Sequence, residues 1–144
     1  MKSVYVALLA IAIFTIQGCS KYSDGPGISL LTKKNRLCND WLLDYHLLNE
    51  NDVTDANQTM KLSIEKDGTY SMTTYTDAMG QLQGEYSHGT WTFEDSKAQL
   101  YLYENIDEDP THMYTINELR SKSLKIVEKF SSINATHTYR FIRD

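Results

Sequence analysis

Four histidines, two cysteines and 19 acidic residues are the side chains from which proton transfer, metal binding or nucleophilic chemistry would be built in this chain. His46, His88, His112 and His137 fall in four separate stretches. None has the His-x-x-x-His or Cys/His spacing that suits zinc. Each reads as a solvated or half-buried side chain, unless closure of the fold brings two together. Glu104, Asp107, Glu108 and Asp109 precede Pro110 without the Asp-x-Asp-x-Asp-Gly order of a dedicated calcium loop, and read as a solvated hairpin. Gly-x-Ser-x-Gly, phosphate-loop and dinucleotide signatures are absent. No catalytic residue, metal site or cofactor is assigned, and the expectation is a protein that is not an enzyme. The formal net charge is -5, with no cluster of Lys and Arg interleaved with aromatics. Nucleic-acid binding is disfavoured, because phosphate neutralisation needs clustered positive charge.

Chemistry of another kind is written at the N terminus. Met1-Lys2-Ser3 is short and positive, and Val4 to Ile16 is apolar and uncharged. A spanning helix needs about 20 such residues. This run has instead the length of a signal-peptide core. Ile16-Gln17-Gly18-Cys19-Ser20 follows and resembles the lipobox of bacterial lipoproteins, with Gln17 where Ala or Ser is commoner. The resemblance implies cleavage before Cys19, diacylglycerol on its thiol and acylation, as with palmitate, of the new amine. Each buried methylene contributes about 0.8 kcal/mol, so two or three chains would hold the protein to a membrane essentially permanently. Ser20 is not the Asp that retains some lipoproteins at the inner membrane, so the outer membrane is expected, with its face open. Acylation of Cys19 leaves Cys38 alone. An intramolecular disulfide is then impossible, and Cys38 reads as a small buried residue.

Stepping inward along the chain, residues 1–18 are read as signal peptide, 19–36 as lipidated Cys and flexible tether, and 37–144 as the folded domain. Ser23-Asp24-Gly25-Pro26-Gly27 breaks any helix within the tether. From residue 41 the pattern is short strands: 41–48, 60–65, 69–76, 89–94, 99–103, 112–116, 124–130 and 136–142. Lys66-Asp67-Gly68 forms a hairpin turn. A short helix within 31–39 would cap one end. Ten tyrosines reinforce the β reading. The fold class expected is all-β, an antiparallel eight-stranded up-and-down meander. Closing into a small barrel removes its edges.

At this point the sequence resembles the lipocalin-like lipoproteins of the Bacteroidota. The resemblance runs over Trp41, Ile64-Glu65-Lys66-Asp67-Gly68-Thr69-Tyr70, Gly89-Thr90-Trp91-Thr92-Phe93, Tyr114-Thr115-Ile116-Asn117-Glu118-Leu119 and Tyr139-Arg140-Phe141. It implies a small lipocalin-like barrel. True lipocalins open on Gly-x-Trp, where this chain has Asn39-Asp40-Trp41, and their last strand supplies an Arg that packs on that Trp. Arg140 or Arg143 would take that part through a cation–π contact.

Trp41, Tyr45, Tyr70, Met72, Trp91, Phe93, Tyr114, Tyr139 and Phe141 fall on apolar faces. Two readings share them. They line a pocket for a small hydrophobic ligand, with Tyr hydroxyls to orient it, or they simply fill the barrel. The first makes the protein an envelope-anchored binding module. The second makes it an accessory lipoprotein that meets proteins or glycans through its outer face, with Tyr101 and Tyr103 exposed beside the acidic loop.

Overall fold

The computed structural model describes residues 31–78 and 81–144, and the expected signal peptide, Cys19 and most of the expected tether lie outside the described residues. The described residues begin with a one-turn helix, α1 (Lys33–Leu37). Thr32 caps it, its Oγ1 accepting the Asn35 N–H at 3.1 Å. Nine strands follow: β1 (Asp40–Leu48), β2 (Asn51–Asp52), β3 (Gln58–Ile64), β4 (Thr69–Ala78), β5 (Gln81–Glu94), β6 (Gln99–Tyr103), β7 (His112–Leu119), β8 (Ser123–Phe130) and β9 (Ala135–Arg143).

Every pairing between them is antiparallel, in the order β2-β1-β3-β4-β5-β6-β7-β8-β9, and β1 also pairs with β9. The meander therefore closes into an eight-stranded barrel, with β2 as an extra ribbon on β1. The expected eight strands are all present. β2 is too short for an alternation to reveal; it is folded back by Asn49 and Glu50, both with positive φ. β5 is longer than expected, 14 residues instead of six. Its first half reads Gln-Leu-Gln-Gly-Glu-Tyr-Ser-His and pairs with β4 alone. It projects past β6 as one side of an arm, so no buried face imposes an apolar alternation on it.

One end of the barrel is sealed. Leu37 of α1 is 0 % exposed and Trp41 1 %, and both belong to a core with Leu62, Ile64, Trp91, Leu100, Ile116, Leu119, Leu124, Ile126 and Phe141. Each such apolar side chain contributes about 1.5–3 kcal/mol by leaving water. The two indole N–H groups find carbonyl partners there. Trp41 Nε1 donates to Leu37 O at 2.8 Å, fastening the helix. Trp91 Nε1 donates to Glu65 O at 2.9 Å, and its main-chain N–H to Gly68 O at 2.8 Å. The motifs at 64–70 and 89–93 are thus tied to one another. Asp67 shapes the intervening turn, its Oδ1 accepting from Thr69 N at 2.9 Å and Thr69 Oγ1 at 2.7 Å. Those bonds hold its carboxyl below the usual range.

Gly89 has a steric reason. A Cβ there would lie 1.9 Å from the carbonyl oxygen of Tyr103, where the chain leaving β6 crosses close over β5. Gly84, farther out on the arm, would meet only the edge of the Tyr75 ring at 3.3 Å. Gly89→Ala is therefore expected to destabilise the domain by about 1–3 kcal/mol, the usual range for overpacking. Gly84→Ala should be nearly neutral. Equal urea midpoints for the two variants would contradict this account of Gly89.

Candidate functional site

Alternation along each strand carries the inward face from the sealed end towards the opposite one. Phe141 leads to Tyr139 and His137 on β9, Ile126 to Glu128 on β8, and Ile116 to Tyr114 and His112 on β7. Trp91 leads to Ser87 and Glu85 on β5, and Tyr70 to Met72 and Thr74 on β4. The side chains change along the way from Leu, Ile, Trp and Phe to His, Glu, Ser, Thr and Met. The interior is apolar at one end and polar at the other.

β1 reaches the same region through a bulge. Its register with β9 shifts between Leu43 and Tyr45, leaving Asp44 as the extra residue. The faces exchange there, so His46 turns inward and Tyr45 outward. His46 Nε2 then lies 2.9 Å from His137 Nδ1, with ring centroids 5.1 Å apart and planes at 22°. One ring donates this hydrogen bond and the other accepts it, the direction set by the tautomers. Tyr139 stacks on His46 at 4.5 Å. Burial, chiefly, and then the neighbouring His137 lower the pKa of His46, with Asp52 opposing.

Beside this pair, His112 Nδ1 lies 2.9 Å from Glu128 Oε1. Glu128 is 6 % exposed. A carboxylate accepts only, so Nδ1 of His112 carries the proton. His112 stacks on Tyr114 at 5.5 Å, and Tyr114 meets Tyr139 edge-on at 6.2 Å. Burial, with the Glu128 carboxylate nearby, pushes the Tyr114 phenol well above its ordinary value and that of Tyr139 to about 12. Both stay protonated as donors throughout the neutral range. No group of three or more His, Cys, Asp or Glu suited to a metal ion occurs among the described residues.

A cavity of about 350 Å³ opens between the β4–β5 arm and the ends of β6 and β7. Met72, Thr74, Glu85, Tyr86, Ser87, Glu104 and His112 line it. Below it stands Tyr70, 3 % exposed. The Tyr70 hydroxyl is close enough to Ser87 and Glu104 to feel both, yet neither it nor Ser87 Oγ makes a well-formed hydrogen bond. Burial, above all, pushes the Tyr70 phenol up. A second depression, lined by Asn49, Glu50, Asn117, Val127, Lys129, Thr136 and Thr138, lies on the outer wall, where Val127 and Thr138 alternate with the inward residues.

The aromatic set of the sequence is divided by this geometry. Trp41, Trp91 and Phe141 fill the sealed end, with Phe93 edge-on to Trp91 at 5.3 Å. Tyr70, Tyr114 and Tyr139 stand midway, and Met72 alone of the nine lines the cavity. Tyr45 is outside, with Arg140 over its ring at 5.9 Å. Of the two arginines expected near Trp41, Arg140 is thus placed on Tyr45, Arg143 is the register partner of Trp41 across the β1–β9 seam, and Lys34 lies over Trp91 at 5.7 Å. Tyr101 and Tyr103 are half-buried rather than exposed. Cys38 is partly buried, and burial raises its thiol pKa. The polar lining was missed in the sequence. Its one signal was Glu128 on the same face as Leu124 and Ile126.

Residues 22–126 match the family model for the lipocalin-like domain. The chain belongs to the lipocalin-like domain family. This lipocalin-like chain is also similar to solved structures. One is Japanin from Rhipicephalus appendiculatus, in an orthorhombic crystal form bound to cholesterol, with 9% sequence identity and a TM-score of 0.48, over 78% of this chain and 79% of that one. No curated protein sequence matches it.

The paired histidines give the domain a pH dependence of known sign. A lowered folded pKa means that the unfolded chain takes up the proton first. The contribution of His46 is full above its ordinary value of 6.5 and is lost as pH falls through the lowered folded value. The urea midpoint is expected to fall between pH 7.5 and pH 5.5 more steeply in the wild type than in His46→Gln. Parallel profiles for the two proteins would rule the pair out as the cause.

Proposed function

We propose that the protein is a lipid-anchored binding protein of the bacterial cell envelope, whose barrel takes a small, largely apolar molecule at its open end. The observation that carries the binding reading is the division of the interior. Large side chains pack one end to completion. The other keeps a cavity within the volume range of small-molecule sites, where a few polar groups converge beside a thioether. A barrel built only to be filled has no need of Glu128 and three histidines on its inward face, since buried polar groups destabilise unless they are paired. The anchor is supported by the Ile16-Gln17-Gly18-Cys19 sequence after an apolar run of signal-peptide length. Its expected place is the outer membrane. The accessory reading, with a filled barrel working through its outer face, draws less support, because Tyr101 and Tyr103 are half-buried.

Native mass spectrometry of the protein extracted from its membrane is expected to show a bound small molecule that a cavity-filling Met72→Trp variant lacks. In cells, labelled palmitate should enter the wild type and not Cys19→Ala. Identical spectra without adducts for both barrels would refute the binding reading, and equal palmitate labelling would refute the anchor.

A further inference from the structure

Closure of the barrel leaves one strand edge open, on the arm of β4 and β5. β5 pairs with β4 over residues 81–90 but with β6 only over 90–94. Residues 81–89 therefore have no strand on their second side among the described residues. The Trp91 N–H is directed towards β4, where Gly68 O accepts it. Main-chain groups alternate between the two sides of an antiparallel strand. The N–H and C=O groups of Leu82, Gly84, Tyr86 and His88 are thus the ones that face out from the edge. Natural edges are guarded by Lys, by Pro or by a bulge. This one has no Lys and no Pro, and its register with β4 runs without a shift.

The side chains beside this edge are apolar where they meet water. Leu82 is 70 % exposed and Tyr86 64 %, and Tyr75, opposite Gly84 on β4, is also exposed. An open edge accepts a strand, and the side chains here fit a second copy of the same one. Outward-facing groups can meet across a two-fold axis only if even-numbered residues oppose even-numbered ones. With the axis at Gly84, Leu82 of each chain lies opposite Tyr86 of the other, and the most exposed apolar groups of the arm cover one another. Glu85, the one carboxylate between 81 and 89, then lies opposite Gln83. One register step towards the barrel would set Glu85 opposite its own copy, and like charges so placed destabilise a sheet. Two steps would carry Leu82 onto Thr90, whose edge β6 already occupies. One step the other way would set Leu82 opposite Gly84 and lose the apolar pair.

We propose that the protein forms a two-fold dimer in which β5 pairs antiparallel with β5 of a second copy, centred on Gly84. Such an interface is isologous, each chain offering the same surface to the other. The two sheets run on as one. Gln83 of the second copy joins Glu85 on the face that lines the cavity, so each chain borders the other's cavity mouth. The pairing is independent of the binding reading, since an empty barrel has the same edge.

The test is disulfide cross-linking of the full chain in its membrane, with Cys38→Ser in every variant. Two differently tagged chains are co-expressed, one carrying Gln83→Cys and the other Glu85→Cys. In the proposed register these positions form a non-hydrogen-bonded pair with Cα atoms about 4.5 Å apart, within reach of a disulfide. Oxidation is expected to join the two tags. Gln83→Cys chains should join one another far less, because two copies of residue 83 lie diagonally across the axis. Leu82→Lys or Tyr86→Lys, added to both chains, should abolish the cross-link. Both side chains are exposed on the arm, so the extracted variants are expected to keep the far-UV spectrum of the wild type. Met113→Cys, exposed on the outer wall, reports chance collision. A missing link between 83 and 85 would overturn the dimer. So would Met113→Cys chains that cross-link as readily, or Lys variants that cross-link undiminished.

Discussion

Everything inside this barrel depends on the seam between β1 and β9. Their register runs from Trp41↔Arg143 to Leu48↔His137. Without it the meander would have two free edges and no enclosed face. The seam also decides which side chains are enclosed, because the extra residue at Asp44 exchanges the two faces of β1 halfway along. Above the bulge Trp41 and Leu43 point in, and below it His46 does. The ion pair between Arg140 and Asp44 at the bulge, 3.6 Å long and well exposed, adds little energy. The bulge is held by the pairing on either side of it, and its consequence is chemical: it sets His46 against His137.

The two ends of the interior answer different demands. The sealed end makes the fold, through large apolar side chains and through indole N–H groups that tie α1 and the β3–β4 turn to the core. This gives physical content to the motifs by which the chain resembles its family. Gly89 permits the crossing by Tyr103, Trp91 fastens the turn at Lys66-Asp67-Gly68, and Tyr114, Ile116 and Leu119 pack the wall. The open end contributes less apolar burial and holds its polar groups in pairs: His112 with Glu128, and His46 with His137. Buried side-chain atoms without a partner remain at both ends, Arg36 Nε on α1 as well as the Tyr70 and Ser87 hydroxyls beneath the cavity.

Much of the architecture was legible in the sequence because a strand with one buried face must alternate. All eight barrel strands, the turn at Asp67-Gly68 and the capping helix follow from that rule and from turn chemistry. The site was less legible because inward facing was equated with apolar. Counting aromatics by strict alternation carried Tyr45 into the interior, and a bulge, which leaves no mark in alternation, carries it out. The same assumption left the histidines scattered, since only closure of β1 on β9 makes residues 91 positions apart neighbours. Glu128, a charge in line with Leu124 and Ile126, was the sequence's one sign that the inner face turns polar.

The central claim is that one end of the barrel is packed and the other open. Paramagnetic relaxation by a small neutral nitroxide dissolved in the buffer reads this directly. The account predicts strong broadening of the Met72 methyl and the His112 ring signals, with the Trp41 indole N–H, buried and bonded to Leu37, unaffected. Equal protection of Met72 and Trp41 would show a barrel filled throughout and would contradict it.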